Sequence, residues 1–222
     1  MKVQIYSIKT PEDADLCVAA GVDLIGVAPG ERGRLAGEVS FDLCRQIFAA
    51  IVAGAGPLRV ALTVADNLAE IVETIRAVEP DIIHLSGEIE RLSPARVAAL
   101  RHLIQPVKIM QAIPMTGPAA VPLALAYARV SDYLILDTNA TEVIGIGATG
   151  LVHDWTISAE IVRRVHLPVI LAGGLHAGNV GAAIRAVRPW AVDSFTHTNV
   201  PGGKRKDPER LRAFVVAARA AE

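Results

Sequence analysis

Two stretches in the last third of this 222-residue chain carry residue types that suit an anion. Leu171-Ala172-Gly173-Gly174-Leu175 ends a short apolar run in a pair of glycines. Glycines there let the backbone come close to a ligand and expose amide N–H groups. Further on, Val192-Asp193-Ser194-Phe195-Thr196-His197-Thr198-Asn199 is a hydroxyl-rich turn. Amides from Gly173 and Gly174, with Ser194, Thr196 and His197, are the chemistry of phosphate binding. The plain alternatives are a glycine pair that only makes a tight turn and hydroxyls that only cap helices. Other short apolar runs also end in polar groups: Tyr6 and Ser7, Thr63, His84 and Ser86, Gln111, and Asp137-Thr138-Asn139. Carboxyl, imidazole and phenol groups brought together there could move protons.

The elements that must position these residues alternate. Short apolar runs cover Val3–Ile8, Asp23–Ala28, Leu58–Val64, Asp81–Ser86, Val107–Ile113, Asp132–Asp137, Pro168–Ala172 and Ala191–Phe195. Their nearly continuous aliphatic character suits parallel strands covered on both faces. Helix signatures lie between them. Thr10-Pro11-Glu12-Asp13 reads as an N-cap, a first-turn proline and early acids, and Gly21 as a stop. Ser93-Pro94 and Asp207-Pro208-Glu209 open two more, and Leu68, Ile71, Val72 and Ile75 keep helical spacing. In Gly117–Arg129, Pro122 interrupts the pattern. Eight βα units with no linker between them predict an α/β fold, a (β/α)8 TIM barrel in one domain over 1–222. A doubly wound sheet is the runner-up, but its glycine-rich turn should follow the first strand, where Ser7-Ile8-Lys9-Thr10 stands instead. In a barrel the polar run ends all gather at the C-terminal mouth.

Composition narrows the function classes. A formal net charge of -1 lacks the basic excess of a nucleic-acid or membrane-surface binder. The mean hydropathy of +0.40 does not come from a membrane span. The apolar stretches Ile47–Leu58 and Gly117–Ala128 are short of the ~18 residues a span needs. The two cysteines, Cys17 and Cys44, read as free buried thiols. The first residues form a strand pattern rather than a signal peptide, so a cytoplasmic protein is expected. Nothing in these features sets an oligomeric state. Met110, Trp155 and Trp190 read as core packing.

The order of motifs in the second half resembles phosphoribosylanthranilate isomerase. It runs Leu134-Ile135-Leu136-Asp137-Thr138, Gly147-Ala148-Thr149-Gly150 with Asp154-Trp155, Leu171 to Leu175 with Asn179-Val180, Val187-Arg188-Pro189 with Val192-Asp193, and Pro201-Gly202 with Lys206-Asp207. Ala19-Ala20-Gly21-Val22-Asp23 with Gly26, Val39-Ser40, and Leu85 to Glu88 extend the likeness upstream. The resemblance implies a single (β/α)8 barrel and an Amadori rearrangement of a phosphorylated aminoaldose, without cofactor or metal. It also implies a phosphorylated small molecule as the partner. That chemistry needs a general acid for the ring oxygen, a general base for the C2 proton and donors that hold the phosphate. The resemblance puts the acid on Asp137.

The chain departs from the family pattern at the other end. The family's first strand ends in Lys-Ile-Cys-Gly, and the cysteine is its base; here Gln4-Ile5-Tyr6-Ser7 stands, with Tyr6 in the cysteine position. An unperturbed tyrosine has a pKa of ~10, against ~8.5 for cysteine, so Tyr6 needs a strongly lowered pKa to act as base. The family's Gln-Leu-His-Gly becomes His84-Leu85-Ser86-Gly87, which makes His84 a second candidate base on the same strand face. Ser7, Ser86 and Gln111 are candidate substrate contacts, with Arg34 (beside Arg32) for the aromatic carboxylate. Two other readings stand beside the isomerase: a divergent phosphosugar enzyme such as an epimerase or aldolase, and a non-catalytic phosphometabolite-binding barrel. A Schiff-base aldolase needs a lysine in the barrel, and Lys108 comes too early in its strand. A metal-dependent epimerase would need ligands such as His84, Asp137 and His176 to converge. Asp137 facing an ionisable partner across the mouth would favour catalysis; a mouth filled by Tyr6 and Phe195 would oppose it.

Overall fold

The computed structural model describes residues 1–35, 37–51, 56–138 and 152–221. Eight parallel strands close into a barrel in chain order, β8 pairing with β1. The strands are β1 (Lys2–Ile5), β2 (Leu24–Val27), β3 (Leu58–Thr63), β4 (Ile82–Leu85), β5 (Lys108–Pro114), β6 (Tyr133–Asp137), β7 (Val169–Leu171) and β8 (Ala191–Ser194). Each is followed by a helix: α1 (Pro11–Ala19), α2 (Phe41–Ala49), α3 (Leu68–Val78), α4 (Pro94–Leu103), α5 (Ala120–Tyr127), α6 (Trp155–Arg164), α7 (Val180–Val187) and α8 (Pro208–Arg219). A 3-10 turn, Thr196–Thr198, lies between β8 and α8.

Period-two alternation along the strands makes two apolar clusters. One lies inside the barrel and includes Tyr6, Leu24, Val60, Ile82, Met110, Ala112, Ile135, Ile170, Ala172 and Ala191. The larger one, with Val3, Ile5, Ile83, Ile109, Leu134, Leu136 and Val192, lies between strands and helices. Burial on both strand faces is why the runs read as continuous aliphatic stretches. Thr10 caps α1 by accepting from Asp13 N, and Asp207 caps α8 by accepting from Glu209 and Arg210 N. Both satisfy amides that a helix start leaves unpaired.

Where the strands are shorter than the apolar runs, the missing residues have become loop at the mouth. Ile5, not Ile8, ends β1, and Ser194, not Phe195, ends β8. Pro122 does not break α5, because the helix starts at Ala120 and the proline falls in its first turn. No i−4 hydrogen bond is lost there. Cys17 and Cys44 are free and buried on α1 and α2, and burial pushes both thiols up to about 12. Lys108 stands at the opposite end of the barrel from the mouth, mostly exposed and 3.7 Å from Asp132, so it cannot reach a substrate there. Among the described residues, no helix is long and apolar enough to cross a membrane.

Candidate active site

The inward positions at the top of the strands are Gln4 and Tyr6 on the β1 side, His84 on β4, Asp137 on β6 and Asp193 on β8. Tyr6 is buried, and its ring lies over Gly26 of β2. A Cβ on Gly26 would sit 2.1 Å from Cε1 of that ring, so only glycine leaves room for it. The phenol reaches across to β4, where its oxygen is 2.8 Å from Nδ1 of His84. Burial, and then the charges of Asp193 and Asp137, push the Tyr6 hydroxyl well above its usual range. Burial drives the His84 pKa down to about 3. A neutral phenol and a neutral imidazole therefore share this bond. The expectation of Tyr6 as a base is corrected: the shift runs opposite to the one a base needs. His84 stays neutral as a base should, but its weak basicity and its engaged Nδ1 leave only Nε2, a buried atom with no partner among the described residues.

The β5–β8 side is built differently. The small side chains of Ala112, Ala172 and Ala191 face inward there. Leu136 pairs with Leu171, and Leu171 with Val192, so Asp137, Ala172 and Asp193 follow at one level across β6, β7 and β8. Asp137 keeps part of its surface open, and its Oδ1 accepts from Thr138 N at 2.7 Å. Burial nonetheless raises its pKa to about 7. Asp193 is buried, and its Oδ1 accepts from Gln4 Nε2 at 3.2 Å. Burial first, and the charge of Asp137 second, lift it to about 8, against the opposing pull of Gln4 and Lys206. Asp137 thus faces an ionisable partner. Tyr6 and the half-buried Phe195 also belong to the interior, but Tyr6 leans towards β2–β4, away from this pair.

The candidate phosphate end lies directly above. Gly173 and Gly174 have φ of 86° and 61°, the left-handed region that glycine tolerates. Asn179 pins this turn: its Nδ2 donates to Gly174 O at 3.0 Å and its Oδ1 accepts from His176 N at 2.8 Å. A carbonyl held on one side turns the next amide to the other, so Leu175 N–H faces away from Asn179. No described residue accepts from the amides of Gly173, Gly174 or Leu175. Ser194 does not present its hydroxyl to the mouth. It donates to Leu175 O at 2.9 Å and ties β8 to the glycine turn. Thr196 and His197 begin the 3-10 turn, and the His197 ring stands 5.2 Å from that of His176.

The remaining expectations divide. Gln111 alternates with the inward Met110 and Ala112, which places it on the helix-facing side, where its Nε2 donates to Leu85 O and Ala112 O. Its expected substrate contact is corrected on that ground. Ser86 follows His84 by two residues and is buried at the mouth. Ser7 is buried beside Gly37, its hydroxyl without a partner among the described residues. Arg34 is paired with Glu70 at 3.0 Å, and Arg32 with the same carboxylate at 2.7 Å, and both side chains remain exposed. Among the described residues, no group of three or more His, Cys, Asp or Glu is placed to hold a metal. Asn139 and Gly147 to Gly150 lie outside the described residues.

Two residues escaped sequence reasoning. Asp193 stands beside the more conspicuous Ser194 in the sequence, although Ala191 and Asp193 share the inward face by period two. A lone charge inside an otherwise apolar strand was the available signal. Lys206 is buried, and its ammonium bonds Tyr6 O, Phe195 O, Thr198 Oγ1 and Asn199 Oδ1. Burial lowers its pKa to about 8.

Comparison with known proteins follows the same lines. The family profile described as N-(5'-phosphoribosyl)anthranilate (PRA) isomerase matches residues 18–217. A relative of that name from Azorhizobium caulinodans is 37% identical over 226 residues, covering 100% of this chain and 93% of its own. The crystal structure of phosphoribosyl anthranilate isomerase from Thermotoga maritima superposes with a TM-score of 0.80 at 26% identity, covering 99% of each chain. A structure of the isomerase in complex with reduced 1-(o-carboxyphenylamino)-1-deoxyribulose 5-phosphate has a TM-score of 0.78 at 24% identity, again covering 99% of each chain.

Proposed function

The chain belongs to the N-(5'-phosphoribosyl)anthranilate isomerase family, the aldose–ketose isomerases of tryptophan biosynthesis, and from that premise we propose how its own residues perform the rearrangement. The substrate is phosphoribosylanthranilate, a phosphorylated aminoaldose. Its phosphate sits against the free amides of Gly173, Gly174 and Leu175, with Thr196 and His197 on the flanking turn. Ser194 holds the two loops together instead of touching the phosphate. Anchoring the phosphate fixes the sugar over the β6–β8 side of the mouth, where the carboxyls stand.

Asp137 then donates its proton to the furanose ring oxygen. The C1–O bond breaks as the nitrogen lone pair forms C1=N. A base takes the C2 proton, and its electron pair makes the C1=C2 bond of an enolamine. Loss of the O2 proton and gain of a proton at C1 give the aminoketose. The atoms balance without oxidant or reductant. The observation that carries this reading is Asp137, held inside the mouth with a pKa of about 7 beneath the glycine turn. A carboxylic acid with an ordinary pKa would hold almost no proton at neutral pH. The reading implies a cytoplasmic enzyme. It is tested by turnover of phosphoribosylanthranilate by the pure protein and Asp137→Asn. The variant should lose at least about 100-fold in kcat, the low end for a general acid or base. Turnover that survives this substitution within a few-fold would remove Asp137 as the acid.

A further inference from the structure

We propose that Asp193 is the general base of this reaction and takes the C2 proton in place of the thiol that the family carries at the Tyr6 position. The inference rests on the proposed function and names the residue it leaves open. Position comes first. Asp193 is the Cα partner of Gln4 on β1, and Tyr6 N donates to Ser194 O at 3.1 Å, so Asp193 lies on the strand next to the vacated base position. It points into the barrel at the level of Asp137, two strands away. Two strand spacings of about 4.8 Å leave room for a sugar carbon between the carboxyls. The residue between them on β7 is Ala172, whose methyl does not block the gap.

The surroundings prepare the group. Gln4 Nε2 holds Oδ1, and no hydrogen bond among the described residues takes Oδ2. The ammonium of Lys206, fixed by oxygens of Tyr6, Phe195, Thr198 and Asn199, acts on Asp193 and favours its carboxylate. No such cation is among the influences on Asp137. Burial raises both carboxyls, to about 7 and about 8, and their mutual charge couples them, so these steps belong to the pair. Between the two steps the pair carries one proton: an acid and a base at once. The other candidates are spent. The Tyr6 phenol is held neutral, His84 has Nδ1 on that phenol and a basicity that burial cuts to a pKa of about 3, Lys206 is saturated with oxygens, and Cys17 and Cys44 lie on helices outside the barrel wall.

The test is kcat and KM on phosphoribosylanthranilate from pH 5 to 10 for the wild type, Asp193→Asn and Asp137→Asn, with C2-deuterated substrate in parallel. Thermal unfolding of each variant, and of Asp193→Ser as a second substitution, checks folding. The wild type should give a bell centred between the two steps of the pair. Asp193→Asn should lose at least about 100-fold in kcat with KM changed far less. Its residual rate should lose the acidic limb and show a larger C2 isotope effect, as proton abstraction becomes limiting. Asp137→Asn should lose the alkaline limb instead. Wild-type turnover with a folded Asp193→Asn that keeps kcat within tenfold, or keeps the acidic limb, overturns this assignment alone. No wild-type turnover overturns the proposed function, and this assignment with it.

Discussion

Burial acts in the same direction on Tyr6 and Asp193 but with opposite chemical results. It lifts a phenol already at ~10 beyond any use as a base, and lifts a carboxyl from the ordinary range to about 8, where it can exchange protons near neutral pH. Tyr6→Phe should therefore keep its turnover rate within about tenfold, less than the ~100-fold that losing a base costs. It should cost ~1–3 kcal/mol of stability, because Nδ1 of the buried His84 loses its partner. Kinetics and urea unfolding of the one variant check both; a collapse of kcat with a stable fold would restore the phenol to the chemistry. At this scale the sequence showed that the thiol was gone, but not what replaced it. The replacement depends on which carboxyl lies beside β1 across a closed seam, and β1 and β8 are at opposite ends of the chain.

Elements, more than single residues, shape the mouth. The glycine turn after β7 owes its form to Asn179, which the sequence shows only as a motif letter, and its link to β8 to Ser194, which the sequence suggests as a phosphate ligand. Lys206 likewise joins the ends of β1 and β8 to the segment before α8. The strand–helix alternation was plain because burial on both faces leaves an aliphatic signature. Which face Gln111 or Ser194 presents follows from counting by twos from a known inward residue, and the run ends concealed that register. The Tyr6–Gly26 contact offers a check on the interior. Gly26→Ala should destabilise the protein by ~1–3 kcal/mol through overpacking. Adding Tyr6→Ala should make the pair of substitutions cost less than their sum, since the clash is then gone. Additive losses in urea unfolding would mean the ring does not lie on β2.

Across the whole molecule, the carboxyl pair ties stability to pH. Both folded pKa values, about 7 and about 8, lie above the value of ~3.9 in an unfolded chain, so between these limits the native state binds more protons. The pair's contribution to stability is then greatest below about pH 4, falls as pH rises from there, and levels off once pH has passed 7 and 8. Asp193→Asn should flatten that fall and be more stable than the wild type at pH 9 by over ~1 kcal/mol, since each tenfold change in proton affinity between the folded and unfolded chain is worth ~1.4 kcal/mol. Urea unfolding at pH 5.5 and pH 9 checks it, and equal slopes for the two proteins would contradict it. The closed barrel was legible from eight repeats of one pattern, and the family from the order of its motifs. The active-site chemistry was legible only where a motif letter survived, as at Asp137. The most direct test of the account is to incubate the pure protein with phosphoribosylanthranilate and follow the sugar carbons by NMR. The account predicts conversion of C2 from a carbinol to a ketone carbon, at a rate that Asp193→Asn lowers at least about 100-fold; an unchanged substrate spectrum with the wild type would contradict it.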